Sequence, residues 1–129
     1  MVLVVLLFPA LALGGEVKFE DLVMREGIYY PKFSDVPFTG KTTGKEQGSV
    51  RNGKFDGPWV FYHDNGKLWI KGTYRNGKEE GPWVRYHKNG QLEYTGTYKD
   101  GKKHGPWVDH HGNGQLYSKG TFKDGLKVD

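Results

Sequence analysis

The sequence predicts an all-β fold: a linear array of stacked antiparallel β-hairpins, a meander forming a single twisted sheet, behind a small N-terminal cap. Three observations predict it. Gly-Pro-Trp-Val occurs three times, opening at Gly57, Gly81 and Gly105, with a constant step of 24 residues. A fixed step of this length marks one supersecondary unit repeated along a line. Asn-Gly or Asp-Gly pairs punctuate every unit, and these supply the positive φ that tight hairpin turns need. Composition agrees: Gly is 20 of 129 residues and aromatics reach 15%. That is about twice the usual ~7% glycine without a collagen period, and too aromatic for a disordered chain.

The units are 52–75, 76–99 and 100–123, with a partial fourth at 124–129. Twelve of the 24 positions are identical in all three, represented in the first by Gly53, Lys54, Gly57, Pro58, Trp59, Val60, His63, Asn65, Gly66, Leu68, Gly72 and Thr73. Asn65-Gly66 and Asn76-Gly77 mark the turns of the first unit, so each unit reads strand, turn, strand, turn. The first strands are expected at Trp59–His63, Trp83–His87 and Trp107–His111, the second at Leu68–Arg75, Leu92–Lys99 and Leu116–Lys123. By alternation, Leu68, Ile70, Gly72 and Tyr74 share the packed face; Trp69, Lys71, Thr73 and Arg75 share the other. Each Gly of the Gly72 column leaves room for a ring, expected to be a Trp of a neighbouring strand. Pro58 lacks a backbone donor, which fits a bend or bulge at the strand entry rather than mid-sheet pairing. Stability must come from stacking units so that aromatic columns pack on one another.

Upstream, residues 16–51 read as the cap with a shortened repeat. Pro37-Phe38-Thr39-Gly40 and Gly48-Ser49-Val50-Arg51 look like a shortened unit: Gly40 to Asn52 is 12 residues against 19 from Gly57 to Asn76, so seven residues of the hairpin are missing. Phe19–Arg25 is expected to form a short helical turn and Ile28–Tyr30 a strand. Residues 1–12, with 15 as the outer bound, read as a secretory signal peptide: an apolar run ends in the A-x-A-like Ala10-Leu11-Ala12. The run is shorter than the ~20 residues that span a bilayer. No Lys or Arg precedes it, so a start upstream of Met1 or an incomplete first turn of the signal is expected; a buried apolar strand is the alternative. This reading makes the protein exported: periplasmic, envelope-associated or secreted. With no Cys, the fold stands without disulfides even there.

Gly-Thr-Tyr-Arg-Asn-Gly-Lys-x-x-Gly at Gly72–Gly81, copied at Gly96–Gly105, resembles the MORN repeat. The match is closer to the variant form carrying Gly-Pro-Trp-Val and Asn-Gly-Gln-Leu, here Gly81–Val84 and Asn89–Leu92. Asp21-Leu22-Val23, Gly27-Ile28-Tyr29-Tyr30 and Pro37-Phe38-Thr39-Gly40 look like the leader of such arrays. The resemblance implies stacked hairpins with a groove, and a role in protein interaction, dimerisation or phospholipid binding. Bacterial proteins of the variant are often labelled antitoxin components of toxin–antitoxin systems. The family brings no catalytic residues.

Candidate sites divide by whether the repeats agree. His63, His87 and His111 form a column, with His104 and His110 nearby. Equivalent positions lie two strands apart, about 9.6 Å, while zinc holds nitrogens at about 2 Å. The column therefore reads as hydrogen-bonding His at strand ends, and no metal or cofactor is expected. Trp59, Trp83 and Trp107 read as core rather than as a sugar-stacking ladder. Arg75, Lys99 and Lys123 make a basic column, joined by Lys71, Lys78, Lys102 and Lys119, that fits either a solvated face or an anionic lipid or glycan surface. The net charge of +4 is too scattered for a nucleic-acid face. Ser34, Ser49 and Ser118 lack a His/Asp context, Glu79-Glu80 is placed in a turn, and no phosphate loop occurs, so an enzyme is not expected. Specificity is assigned to the positions where the repeats differ: Phe61, Arg85 and Asp109, and Trp69, Glu93 and Tyr117. The function expected is a non-enzymatic scaffold binding a partner protein in the envelope. Alternatives are an antitoxin-type partner of a toxin and a binder of anionic surfaces. Pairing of sheet edges offers a route to oligomers.

Overall fold

A computed structural model describes residues 13–129; the leader expected over residues 1–12 lies outside the described residues. Strands β1 (Leu13–Lys18), β2 (Leu22–Arg25), β3 (Ile28–Pro31), β4 (Thr39–Thr43) and β5 (Glu46–Arg51) form the N-terminal part. The repeats follow as β6 (Lys54–Tyr62), β7 (Leu68–Arg75), β8 (Lys78–Tyr86), β9 (Leu92–Lys99), β10 (Lys102–Lys103), β11 (Gly105–His110), β12 (Leu116–Lys123) and β13 (Leu126–Lys127). One sheet of eleven strands holds β1 and, in chain order, the ten strands β4 to β13, with β10 on β9 beside β11. β1 adds to β4 in parallel. β2 and β3 make a separate hairpin. The chain is all-β: one mainly antiparallel sheet of consecutive hairpins.

Aromatic packing on one face holds the array together. Ideal Cβ atoms on Gly72 and Gly96 would collide with the indoles of Trp83 and Trp107, as the sequence predicts, and one on Gly48 with that of Trp59; Gly120, the third of the expected column, meets the Lys127 side chain instead of a ring. All three Trp are buried. A Tyr or Phe stands edge-on between successive indoles. Tyr74 lies 6.3 Å from Trp59 and 5.0 Å from Trp83; Tyr98 lies 5.8 Å from Trp83 and 5.1 Å from Trp107; Phe122 closes the column at 6.3 Å from Trp107. Each such contact adds about 0.5–1.5 kcal/mol beyond burial. At the N-terminal end Phe55 stacks on Trp59 at 3.8 Å, and the cap contributes Phe19 and Tyr29. Leu22, Phe38, Val50 and Trp59 are the buried centre of that cluster.

Four local expectations need correction. The first strand of each full repeat begins at Lys54 or Lys78, well before the Trp, so Glu79-Glu80 lies in β8 opposite Tyr74 and Thr73 rather than in a turn. Only the third repeat breaks the strand, into β10 and β11. Pro58 pairs with Thr73 on β7, inside the sheet, yet a bulge exists on its other side: Asp56, Gly57 and Pro58 face Ser49 alone. The proline sits where the ladder is already interrupted, and Gly57 takes the positive φ of +100°. A second bulge separates Phe61↔Ile70 from Tyr62↔Leu68 and leaves Trp69 unpaired. Leu68 accordingly lines the Pro58–Val60 face with Lys71 and Thr73, not the Trp face. In the cap, only Phe19–Asp21 is helical; Leu22–Arg25 is a strand, joined to β3 by a Glu26-Gly27 turn.

The two turn signals also differ. Asn76 and Gly77 both have positive φ, 51° and 84°, as a two-residue hairpin requires. Asn65-Gly66 belongs to a longer loop in which Gly66 N donates to His63 O at 2.9 Å and His63 N to Lys67 O at 2.9 Å. There only Gly66 has positive φ.

Candidate functional site

Along the edge formed by these longer loops, the sheet carries a cleft of about 480 Å³. Its floor is set by the repeated His. His63 Nε2 lies 2.9 Å from Tyr86 O, and His87 Nε2 lies 3.0 Å from His110 O. A carbonyl only accepts, so each Nε2 carries the proton. The column thus ties each repeat to the next through the backbone, the strand-end role read from the sequence. His111 instead lies beside the exposed Tyr117, ring centroids 4.8 Å apart.

The bulged residues of the second strands fold over this floor. Trp69 lies 5.4 Å from the His63 ring, and the guanidinium of Arg85 stands over Trp69 at 5.2 Å. Glu93, the equivalent of Trp69 one repeat on, approaches Arg85 Nε at 3.3 Å and His87 Nδ1 at 3.4 Å. Arg85 Nε makes no aligned hydrogen bond, so its contact with Glu93 is electrostatic. Lys45 Nζ and Asp64 Oδ1 close the exposed rim at 2.6 Å. That hydrogen bond holds the Asp64 carboxyl below its ordinary range and raises the Lys45 ammonium above its own.

Three of the residues singled out from the sequence, Trp69, Arg85 and Glu93, therefore meet in one cleft. The others do not. Phe61 stacks on Trp59 at 5.6 Å and packs against the core. Asp109 accepts a hydrogen bond from Ser118 Oγ at 3.3 Å. Arg75 is engaged by Glu80 at 3.2 Å and Asp100 at 3.5 Å, which neutralises the head of the basic column. Lys99 and Lys123 lie exposed at strand ends.

Sequence reasoning missed a second feature. Pro58, Pro82, Pro106, Val60, Val84 and Val108 line an open groove of about 740 Å³ on the face away from the Trp column. These residues are identical in all repeats, which read as packing. Strand alternation carries the missing signal: Trp59 and Val60 are adjacent and point to opposite faces, so a single sheet cannot bury both.

A sequence profile of the MORN repeat variant matches residues 55–76, 79–100 and 103–124. The chain belongs to the MORN repeat variant family. Each matched segment starts in a first strand and ends on the Asx residue of the next two-residue turn. MORN repeats form non-enzymatic scaffolds and are generally associated with protein or membrane-lipid binding. No curated protein matches this chain.

Proposed function

We propose that this MORN protein is a non-enzymatic scaffold that recognises a partner protein through the Trp69–Arg85–Glu93 cleft, working in the cell envelope after export by its N-terminal leader. One observation carries the reading. Side chains that differ between repeats converge on one cleft, while side chains common to the repeats hold its floor. Trp and Arg are the residues on which protein interfaces most depend. Arg85 is positioned by Trp69 and Glu93 before any partner arrives, so little freedom is lost on docking. The basic column favours an anionic surface less, because Arg75 is already paired.

The test is affinity capture from an envelope fraction with the wild type, Trp69→Ala, Arg85→Glu and Tyr117→Ala. A partner held by the wild type and Tyr117→Ala, and lost by the two cleft variants, supports the reading. Both cleft variants should keep their unfolding free energy within about 1 kcal/mol of wild type. Equal capture by all four proteins would falsify the assignment. Rescue of cells from the product of a neighbouring toxic gene, by a form lacking residues 1–12, would identify the partner as a toxin.

A further inference from the structure

Phe33 stands apart from every packing role described above. It is 104% exposed, and its backbone has φ of 63°. A bulky residue in the left-handed region is an outlier. The other non-glycine residues with positive φ, Glu26, Asn52, Asn76, Asp100 and Asp124, each precede a glycine in a two-residue turn. Phe33 precedes Ser34. Strain of this kind persists only where the surroundings enforce it.

The surroundings do so here. Ser34 N donates to Pro31 O at 3.1 Å, and Val36 N donates to Ser34 Oγ at 3.0 Å. Arg25 Nη2 donates to Ser34 O at 2.5 Å, and its guanidinium stands over the Tyr30 ring at 4.0 Å. Phe38 N donates to Tyr29 O at 2.9 Å and fixes the far end of the loop. A braced loop thus holds a whole phenyl ring in water, next to the exposed Val36. A ring carried on a braced backbone costs little further backbone freedom when it docks.

The charges around it select the kind of partner. Arg25 faces Asp35 at 3.8 Å and Lys32 faces Asp21 at 3.6 Å. Glu26 adds one more carboxylate at the hairpin tip. With its cations matched by carboxylates, the loop offers no field to draw an anionic lipid surface. We propose that Phe33 is an anchor that seats in an apolar pocket of a partner protein, at a site sharing no residue with the Trp69–Arg85–Glu93 cleft.

Three measurements on the full chain test this. Phe33→Asn should keep or raise Tm, because Asn tolerates the left-handed region; a fall of more than about 3 °C would show that the ring serves the fold and would overturn the proposal. Benzoylphenylalanine in place of Phe33 should photo-crosslink in cells to one discrete species. Excess unmodified full chain should compete for that adduct, and the full chain carrying Phe33→Ala should not. The adduct should persist in Trp69→Ala, which separates this site from the cleft. No adduct, or an adduct that the unmodified chain and Phe33→Ala compete for equally, overturns the proposal. So does sedimentation with phosphatidylcholine or phosphatidylglycerol vesicles that is lost in Phe33→Ala.

Discussion

Gly96 and Gly120 occupy the same position in successive repeats but meet different neighbours. Trp107 lies across Gly96, whereas at Gly120 the nearest atom to a built Cβ is Lys127 Cε, at 2.5 Å. A packed indole cannot move aside; the end of a lysine can. Gly96→Ala should therefore cost about 3 kcal/mol by overpacking, and Gly120→Ala should stay within about 0.5 kcal/mol. Urea unfolding of both variants reads the difference, and equal costs would contradict the indole-over-glycine packing. The tyrosines between the indoles make a second residue-scale test. Burial pushes the Tyr98 hydroxyl up to about 12, with Tyr94 and Glu79 adding to it, and burial also raises Tyr74 and Tyr94. The unfolded value is about 10, and the neutral form is the one the fold prefers. The sign follows: this stability is complete below about pH 10 and is lost as pH rises from there through about 12. Titration of the eight tyrosines followed at 295 nm should leave Tyr74, Tyr94 and Tyr98 neutral until the fold melts. If all eight ionise near 10 with the fold intact, the column is not buried as described.

At the scale of the element, the two-residue turns depend on backbone chirality. Gly77 has φ of 84°, where an L-residue costs about 1–2 kcal/mol. Gly77→Ala should lose that much in thermal or urea unfolding. Gly112→Ala, with ordinary φ and open space around a built Cβ, should lose about 0.5 kcal/mol at most. Legibility follows the same physics. Asn76-Gly77 is readable because only small residues tolerate two positive φ values in succession. Glu26-Gly27 adopts the same geometry with a glutamate, 51° and 80°, and so escaped a reading based on Asx-Gly pairs. The bulge beside Trp69 also escaped, because one extra residue leaves composition and spacing unchanged while moving Leu68 to the opposite face. Its consequence for the site is direct. The bulge frees Trp69 from strand pairing and lets it fold over His63. The variable residues of the cleft were visible in the repeat comparison, but their convergence depended on that bulge. The parallel pairing of β1 with β4 joins segments 26 residues apart at Leu13↔Thr39, beyond the reach of local pattern.

At the scale of the molecule the two ends of the array differ. The N-terminal end has its aromatic face covered: Phe19 and Tyr29 pack against Phe55, and Leu22 joins Phe38, Val50 and Trp59. The C-terminal end carries Leu116, Tyr117, Leu126 and Val128 exposed, and β13 is two residues long. In a linear array each unit is stabilised by its neighbours alone, so the least covered end opens first. Hydrogen exchange should be slowest in β5 to β8 and fastest in β12 and β13. Trp107 and Trp59 then give different losses on truncation to Ala, though each is worth about 3–5 kcal/mol by burial. Trp107 joins the third repeat to the second through Tyr94 and Tyr98. Removing it should release β11 to β13 to rapid exchange and leave β4 to β7 protected. Trp59 joins the cap to the first repeat. Removing it takes away the covered end on which the other repeats build, and protection should fall along the whole sheet. Uniform loss in both variants would mean that the array unfolds as one cooperative body, with no end-dependent opening.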